Sequence, residues 1–226
     1  MPTDAAPTAE TAALVVFDFD GTLIHGDCGQ AFVRRLLWRQ PWRLPFAFLV
    51  APIGLPLLTM ANGRRLGVSI FLWLATLGTS RERLRQRVAS FAKDYRLSRI
   101  EPAWQALQTD LARGHRVVIA TGAQRWLAED LLVRLQLLGR VELVASELRP
   151  WLGGFVCRVQ CNGRDKTRHL QESGFAPPYL RAYSDTWSDR ALLDLAQTPV
   201  LVNGRADLLQ KFRDRYGPRL RHTATR

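Results

Sequence analysis

The amino-acid sequence predicts an α/β fold, a Rossmann-like parallel sheet with helices on both faces, and three observations lead to it. Short runs rich in Val, Ile and Leu alternate with helical segments from residue 101 onward, as in parallel sheets. Acidic, hydroxyl and lysine side chains follow several of these runs, at the strand ends where open α/β sheets bind ligands. A segment at 28–100 interrupts the alternation, and 226 residues are enough for one core with one inserted module.

The first predicted strand covers 14–19, because a short apolar run that ends in Asp-Gly is typical of a buried parallel strand followed by a turn. A helix is predicted at 102–113, with Pro in its first turn and Gly114 just after its end. The later elements, predicted from the same signals, are strand 115–121, helix 123–138, strand 141–146, a β-hairpin over 148–161, helix 165–173, strand 179–184, helix 189–196, strand 199–202 and helix 206–216.

This order divides the chain into a core, an insertion and two tails. Residues 1–13 are predicted to be a flexible N-terminal tail, which lacks the basic start and apolar run of a secretory signal. The core is expected at 14–27 and 101–216. A helical cap is expected at 28–100, and 217–226 are predicted to form a basic C-terminal tail.

Positive charge is concentrated in the cap, which holds 13 basic and two acidic side chains, whereas the other 153 residues hold 19 basic and 18 acidic ones. Such asymmetry predicts a polyanionic partner, either nucleic acid or an anionic membrane surface. Two uncharged runs, 44–63 and 66–80, lie between arginine clusters and have tryptophans near their edges. This pattern is typical of membrane interfaces. A surface that binds the phosphates of a nucleic acid does not need long uncharged runs. We therefore expect an anionic membrane surface and no nucleic acid.

The prolines and the chain order limit how the cap could meet a membrane. Pro45, Pro52 and Pro56 are predicted to interrupt a straight span. Asp18 precedes the cap and the other polar strand ends follow it, so the chain must return to the side it left. A single complete crossing is thereby excluded. We expect a shallow hairpin that dips into one leaflet, with a buried cap core as the alternative.

Polar motifs stand at the ends of four predicted elements. They are Asp18-x-Asp20, Thr121-Gly122, Lys166, and Ser184-Asp185 followed by Asp189. Two carboxylates at the end of a buried strand are costly without a cation, which favours a metal site over simple helix capping. Lysine is rare in this sequence, with three residues against 29 arginines. A lysine at 166 therefore indicates a position where a compact ammonium must fit beside a carboxylate.

In order, spacing and placement these motifs resemble the haloacid dehalogenase superfamily of phosphohydrolases, over essentially the whole chain outside the N-terminal tail. The resemblance implies a Mg²⁺-dependent phosphatase in which Asp18 attacks phosphorus and forms an aspartyl-phosphate. A carboxylate can approach a phosphate dianion only when a cation neutralises both. The implied metal ligands are the carboxylates of Asp18 and Asp185 and the main-chain carbonyl of Asp20.

The same resemblance implies roles for the other motif residues. Asp20 would protonate the leaving oxygen and then accept a proton from the hydrolytic water. Thr121 and the amide of Gly122 would bind phosphoryl oxygens, and Lys166 would neutralise charge. Asp189 would have a supporting role, in which it orients a metal-bound water or Lys166.

Two polar residues near the first motif have open roles. Asp27 is either a substrate contact, as similar acidic positions are in phosphoserine phosphatases, or the N-cap of a helix. His25 is either a solvated loop residue or an acid/base group.

Four further runs resemble the phosphatidylglycerophosphatase C family of Gram-negative bacteria: 36–41, Gly63-Arg64-Arg65, Phe71-Leu72-Trp73 and Tyr183-Ser184-Asp185. The resemblance implies conversion of phosphatidylglycerol phosphate to phosphatidylglycerol at the cytoplasmic face of a bacterial inner membrane. Acyl chains would stay in the leaflet while arginines attract the anionic lipid. The alternatives are a soluble-substrate phosphatase of the phosphoserine type and, in another class, a basic membrane- or nucleic-acid-binding protein with an inactive site.

Overall fold

The computed structural model describes residues 13–60 and 63–223, so the predicted N-terminal tail lies outside the described residues except for Ala13. One sheet has the strand order β4-β3-β2-β1-β5-β6-β7. Its strands are β1 (Leu14–Phe17), β2 (Arg116–Gln124), β3 (Glu142–Trp151), β4 (Gly154–Val159), β5 (Tyr179–Ser184), β6 (Ala196–Val202) and β7 (Arg221–Thr223). All neighbouring strands are parallel except β3 and β4. The predicted α/β fold is confirmed.

The helices of the described ranges follow the predicted order. They are α1 (Cys28–Trp38), α2 (Leu44–Thr59), α3 (Arg64–Thr76), α4 (Arg81–Asp94), α5 (Glu101–Ala112), α6 (Arg125–Arg134), α7 (Arg164–Glu172), α8 (Arg190–Asp194) and α9 (Ala206–Tyr216). Helices α1–α4 are inserted between β1 and the rest of the sheet, and together they form the cap.

Both faces of the sheet are buried. Val15 and Phe17 of β1 pack into one apolar cluster with side chains of α1, α4, α5 and α6. Val16, between them, packs into a second cluster with α7, α8 and α9. Successive side chains of a strand point to opposite faces, so burial of both explains the continuous apolar run of β1.

Several strand boundaries differ from the predictions. The predicted strand 141–146 and the first arm of the predicted hairpin form one continuous strand, β3, which changes from parallel pairing with β2 to antiparallel pairing with β4. The hairpin turn lies at Leu152 and Gly153, with φ of 42° and 74°, as a tight hairpin turn requires. Strand β2 continues to Gln124 through a register shift, so α6 begins at Arg125 rather than at 123.

The predicted C-terminal tail contains a strand, which corrects that prediction. β7 pairs in parallel with Val200–Val202 of β6. Its sequence, Arg-His-Thr, has no apolar alternation because an exposed edge strand is held by main-chain hydrogen bonds rather than by side-chain burial. The core therefore reaches residue 223.

The prolines do not break α2, contrary to the prediction. The helix is continuous, with Pro45 in its first turn and Pro52 and Pro56 inside it. The two inner prolines are four residues apart and therefore stand on one exposed face. Only Gly54 of this helix is buried. The 19-residue stretch Pro41–Thr59 is long and apolar enough to cross a membrane, yet only 11% of its apolar part is buried in the structure. α2 is therefore not a buried helix of the cap core.

Small residues and one buried arginine hold α2 against α3. A Cβ on Gly67 would lie 3.0 Å from the carbonyl oxygen of Gly54, so the two helices approach more closely than larger side chains would allow. At the other end of the pair, the buried guanidinium of Arg43 donates hydrogen bonds to the carbonyls of Ala75 and Leu77. These carbonyls end α3 and have no partner within the helix.

Helix α3 covers the free edge of the sheet. The hydroxyl of Thr76 accepts a hydrogen bond from Phe155 N at 2.8 Å, and the hydroxyl of Ser69 accepts one from Cys157 N at 3.1 Å. The indole of Trp73 donates to the carbonyl of Leu152 at 3.1 Å. The N–H groups on the outer side of β4 thus bond to the cap, which fixes the cap on the core and protects an edge strand.

We expect Thr76→Val to lower the free energy of unfolding by about 1–3 kcal/mol, because the variant leaves the N–H of Phe155 buried without an acceptor. Thr109→Val is the matched control. Both hydroxyls donate to the carbonyl four residues earlier, but Thr109 is exposed, whereas the buried hydroxyl of Thr76 also accepts the N–H of Phe155. Urea unfolding followed by circular dichroism measures both. Equal losses in the two variants would show that the bond to β4 contributes nothing.

Candidate active site

The polar strand ends meet at one edge of the sheet, above β1. The order of strands reverses at β1, which has β2 on one side and β5 on the other, and such switch points form ligand crevices in α/β sheets. A cavity of about 880 Å³ opens there. The predicted residues that line it are Asp18, Asp20, Asp27, Gly122, Lys166, Asp185 and Asp189.

Lys166 forms the buried floor of the site. It lies in the first turn of α7, and its Nζ donates to Asp18 Oδ1 at 2.8 Å and to Asp189 Oδ2. Burial by itself lowers the pKa of Lys166, but the two carboxylates outweigh it and raise the pKa overall. Burial raises the pKa of Asp18 above its usual range, although Lys166 opposes the shift. The ammonium is therefore charged, and the nucleophile candidate lies against it.

Asp20 lies at the N-terminus of α1. Its Oδ1 accepts the N–H of Cys28 at 2.8 Å, and its Oδ2 accepts the Cys28 thiol at 3.5 Å. Burial, followed by the nearby charge of Asp27, raises the pKa of Asp20 to about 6. A carboxyl group with a pKa near neutrality can both give and take a proton, as a general acid and base must.

Asp185 stands against the loop that follows β1. The hydroxyl of Thr22 donates to Asp185 Oδ1 at 3.2 Å. A Cβ on Gly21 would lie 2.2 Å from Asp185 Oδ2, and Gly21 has a φ of 77°. Only glycine fits here, because both the close approach and the backbone conformation exclude a side chain. The loop and the Asp185 carboxylate are therefore held in direct contact.

The donor set fits a hard divalent cation. Four buried or half-buried carboxylates, those of Asp18, Asp20, Asp185 and Asp189, share one ammonium, and burial raises the pKa of Asp185 as well. The Oδ1 atom of Asp189 is buried and lacks a hydrogen-bond partner among the described residues. Within the described ranges no three His, Cys, Asp or Glu side chains group as a metal site. A cation held by Asp18 and Asp185 would therefore also need main-chain or water oxygens, such as the predicted carbonyl of Asp20.

The structure separates the two residues of the second motif. Gly122 lines the cavity, and its carbonyl accepts the hydroxyl of Ser146 at 2.8 Å. Thr121 is fully buried and lies behind the cavity wall, and its hydroxyl accepts the N–H of Ala123 at 3.0 Å. This hydroxyl shapes the turn that presents Gly122. The Thr121 side chain is thus not brought to the cavity surface with the other predicted residues.

The structure shows where Asp27 and His25 lie, the two residues whose roles the sequence left open. Asp27 caps α1, with its side chain accepting the N–H of Gln30 at 2.7 Å, and it also borders the cavity. His25 is exposed, and its N–H donates to the carbonyl of Ser98. His25 is a loop residue that joins the first motif to the end of the cap.

Sequence reasoning gave no role to two residues that position the site. Cys28 holds both oxygens of Asp20, and burial raises the pKa of its thiol so that the thiol stays protonated and can donate. Ser184 donates to Asp189 Oδ2 at 3.0 Å and so orients the partner of Lys166. The sequence did hold a signal for the role of Cys28. If Asp27 is an N-cap, the helix begins at Cys28, and its first main-chain N–H groups lie next to the Asp20 loop.

A family model for haloacid dehalogenase-like hydrolases matches residues 15–194. Among curated proteins, one from Mycobacterium leprae that is named as a hydrolase is 27% identical over 220 residues, which cover 92% of this chain and 72% of the relative. Phosphoserine phosphatase SerB1 of Mycobacterium tuberculosis is 26% identical over 223 residues, which cover 94% of this chain and 71% of the relative.

Solved structures share the fold. A Bordetella pertussis protein of unknown function matches with a TM-score of 0.65 at 18% identity, over 92% of this chain and 97% of that one. A phosphoserine phosphatase in apo form matches with a TM-score of 0.55 at 17% identity, over 89% and 91% of the two chains. At these identities the likeness shows the fold alone.

We expect Gly21→Ala to weaken Mg²⁺ binding about tenfold or more, because the added methyl displaces the Asp185 carboxylate. Gly26→Ala is the matched control in the same loop. Its φ is 88°, so it carries a similar backbone penalty, but its Cβ meets only the Tyr95 hydroxyl, at 3.3 Å. Titration calorimetry with Mg²⁺ compares the two. Equal weakening would indicate loop strain rather than contact with Asp185.

Proposed function

Because the chain belongs to the haloacid dehalogenase-like hydrolase family, we propose that it is a phosphatase that hydrolyses a phosphomonoester through an aspartyl-phosphate on Asp18. The contact that carries the proposal is the buried pair of Asp18 and Lys166, at 2.8 Å, at the floor of the cavity. A buried carboxylate held by an ammonium beside a second, protonatable carboxylate is suited to covalent attack on a phosphoryl group.

The residues of the chain divide the reaction between them. Asp18 attacks phosphorus, the bond from phosphorus to the leaving oxygen breaks, and Asp20 gives that oxygen its proton. Water then attacks the aspartyl-phosphate, Asp20 takes a proton from it, and inorganic phosphate leaves Asp18 free again. Lys166 stabilises charge on the attacking and transferred groups throughout. Gly122 and the first turn of α1 line the same cavity.

Asp18, Asp185 and the carbonyl of Asp20 are the residues that would hold Mg²⁺. When bound, this ion supplies the positive charge that lets a carboxylate approach a phosphate dianion. The chain itself supplies one further positive charge at this place, the ammonium of Lys166, which also pairs with Asp189.

For the substrate we propose phosphatidylglycerol phosphate, with phosphatidylglycerol as the product. The support is the shape of the cavity, which continues from Asp18 along α1 to apolar side chains of the cap, among them Leu37, Trp38 and Leu58. Its volume of about 880 Å³ is at the upper end of the range for ligand pockets. That is more space than a small phosphorylated amino acid needs.

Phosphoserine is the second candidate substrate. It is favoured by the similarity to phosphoserine phosphatase SerB1 and by the carboxylate of Asp27 at the cavity border, which could pair with a substrate ammonium. The polar end of the cavity suits either headgroup, and the apolar end suits only a lipid.

We expect Mg²⁺-dependent phosphate release from phosphatidylglycerol phosphate in mixed micelles to exceed release from phosphoserine, because only the lipid fills the apolar end of the cavity. Asp18→Asn should abolish both activities, since an amide cannot form the aspartyl-phosphate. Lys211→Met, which removes an exposed lysine of α9 that does not line the cavity, is the control for a nonspecific loss. Activity that survives Asp18→Asn would refute the covalent mechanism, and a preference for phosphoserine would refute the lipid assignment.

We further propose that α2 lies in the cytoplasmic leaflet of a bacterial inner membrane. Its outer face exposes large apolar side chains, such as Phe48 at 76%, Leu49 at 75% and Ile53 at 66% exposure. The helix is about 24 Å long at 1.5 Å per residue, shorter than the roughly 30 Å hydrocarbon core. With α3 returning beside it, a shallow hairpin fits better than a crossing, and the arginine-rich cap suits an anionic surface.

We expect Phe48→Glu/Leu49→Glu to reduce binding to vesicles of phosphatidylethanolamine and phosphatidylglycerol by about tenfold or more, because two apolar side chains leave the leaflet. The control is Val133→Glu/Leu138→Glu, which makes the same charge change at two exposed apolar side chains of the core, 55% and 53% exposed. Co-sedimentation with vesicles measures both. Equal binding by the two variants would exclude α2 as the membrane contact.

A further inference from the structure

The cavity follows one face of α1 from the catalytic carboxylates to the apolar end. Residues of α1 line it turn by turn: Gly29 and Gln30, then Phe32, Val33 and Arg34, then Leu37 and Trp38. Because Cys28 binds the Asp20 carboxylate, the start of α1 marks the reacting end. Arg34, six residues further on, lies about 9 Å along the helix axis. The helix therefore leads from the carboxylates, past Arg34 and its apolar neighbours on the same turn, to Leu37 and Trp38 at the apolar end.

A second arginine enters the same cavity from α3. This helix runs antiparallel to β4, since Ser69 bonds Cys157 while Thr76 bonds Phe155. Its first residue, Arg64, therefore lies toward the end of β4 that leads back to the catalytic floor. Arg64 lines the cavity with Val68 of the next turn.

Neither arginine is neutralised by the described part of the chain. The side chains of Arg34 and Arg64 form no hydrogen bond or ion pair with the described residues, whereas those of Arg35 and Arg85 pair with Asp94 and Asp130. A free guanidinium in a cavity wall is a ready site for an oxyanion, because its planar fork matches phosphate.

We propose that Arg34 and Arg64 form a second anion subsite, which binds a phosphodiester located one glycerol away from the reacting phosphomonoester. This inference rests on the proposed phosphatase activity and deepens it. A substrate with both groups and acyl chains would match the order of carboxylates, cations and apolar residues along the cavity. A lipid monophosphate would leave the two guanidinium groups without a partner. The subsite would therefore select doubly phosphorylated lipid headgroups.

The test compares three phosphomonoesters: one with the diester and acyl chains, one with acyl chains alone, and one with neither. Dihexanoyl phosphatidylglycerol phosphate, dihexanoyl phosphatidic acid and glycerol 3-phosphate are assayed as monomers in solution, so attraction to a membrane plays no part. We expect wild-type kcat/KM to be highest for the diester substrate. Arg34→Gln and Arg64→Gln should each lower it about 10- to 100-fold, the range of a lost charged hydrogen bond. Their kcat/KM for the other two substrates should change less than about threefold.

Two neighbouring arginines provide matched controls. Arg39→Gln, just after α1, and Arg65→Gln, beside Arg64, remove the same charge from positions that do not line the cavity, and they should keep the wild-type selectivity. Arg34→Lys should restore part of it, since an ammonium also binds phosphate but without the bidentate fork.

The outcomes separate the subsite from the activity. Equal losses on all three substrates would mean a structural or general electrostatic role for the arginines and would overturn the subsite. Unchanged selectivity in both Gln variants would overturn it as well, while leaving the phosphatase proposal intact. Turnover of glycerol 3-phosphate without turnover of either lipid would instead overturn the proposed substrate, and the subsite with it.

Discussion

The ammonium of Lys166 is the point on which the architecture of the site depends. It joins Asp18, which precedes the cap, to Asp189, which lies near the end of the matched family region. Three charges buried together are tolerable only when their geometry is correct, because an unpaired buried charge costs several kcal/mol. The contact therefore requires β1, α7 and the turn after β5 to meet in one arrangement. The sheet order delivers this arrangement, since β1 and β5 are neighbours.

The same requirement explains why the cap cannot be an independent module. It leaves the core after the Asp20 loop and returns before α5, so any tilt of the cap would pull on the N-terminus of α1 that holds Asp20. The bonds from Thr76 and Ser69 to β4 prevent such a tilt. An edge strand that could pair with another molecule is used instead to anchor the cap. Catalytic geometry and edge protection are thus achieved by one contact.

The sequence predicted the features that depend on strong local or chemical signals. Buried parallel strands leave continuous apolar runs. Asp18 and Asp185 follow such runs, and Lys166 joined them through the order and spacing of the motifs, which resemble those of a known family. What it did not predict depends on tertiary contacts. The path of α2 through Pro52 and Pro56 contradicts a local rule, and packing against α3 overrides that rule. β7 has no apolar pattern, and the burial of Thr121 behind Gly122 depends on a register shift in β2.

The exposed face of α2 and the cavity are two sides of one helical pair. Leu58 of α2 and Phe71 of α3 line the cavity, while Phe48 and Leu49 of α2 face outward. An apolar surface of this kind is unfavourable in water and is typical of an interaction site. If the outer face enters a leaflet, the apolar end of the cavity comes next to the acyl chains, so a lipid headgroup can reach Asp18 while its chains stay in an apolar environment. The cap then needs no large movement to admit a substrate that a water-soluble enzyme would have to extract from the bilayer.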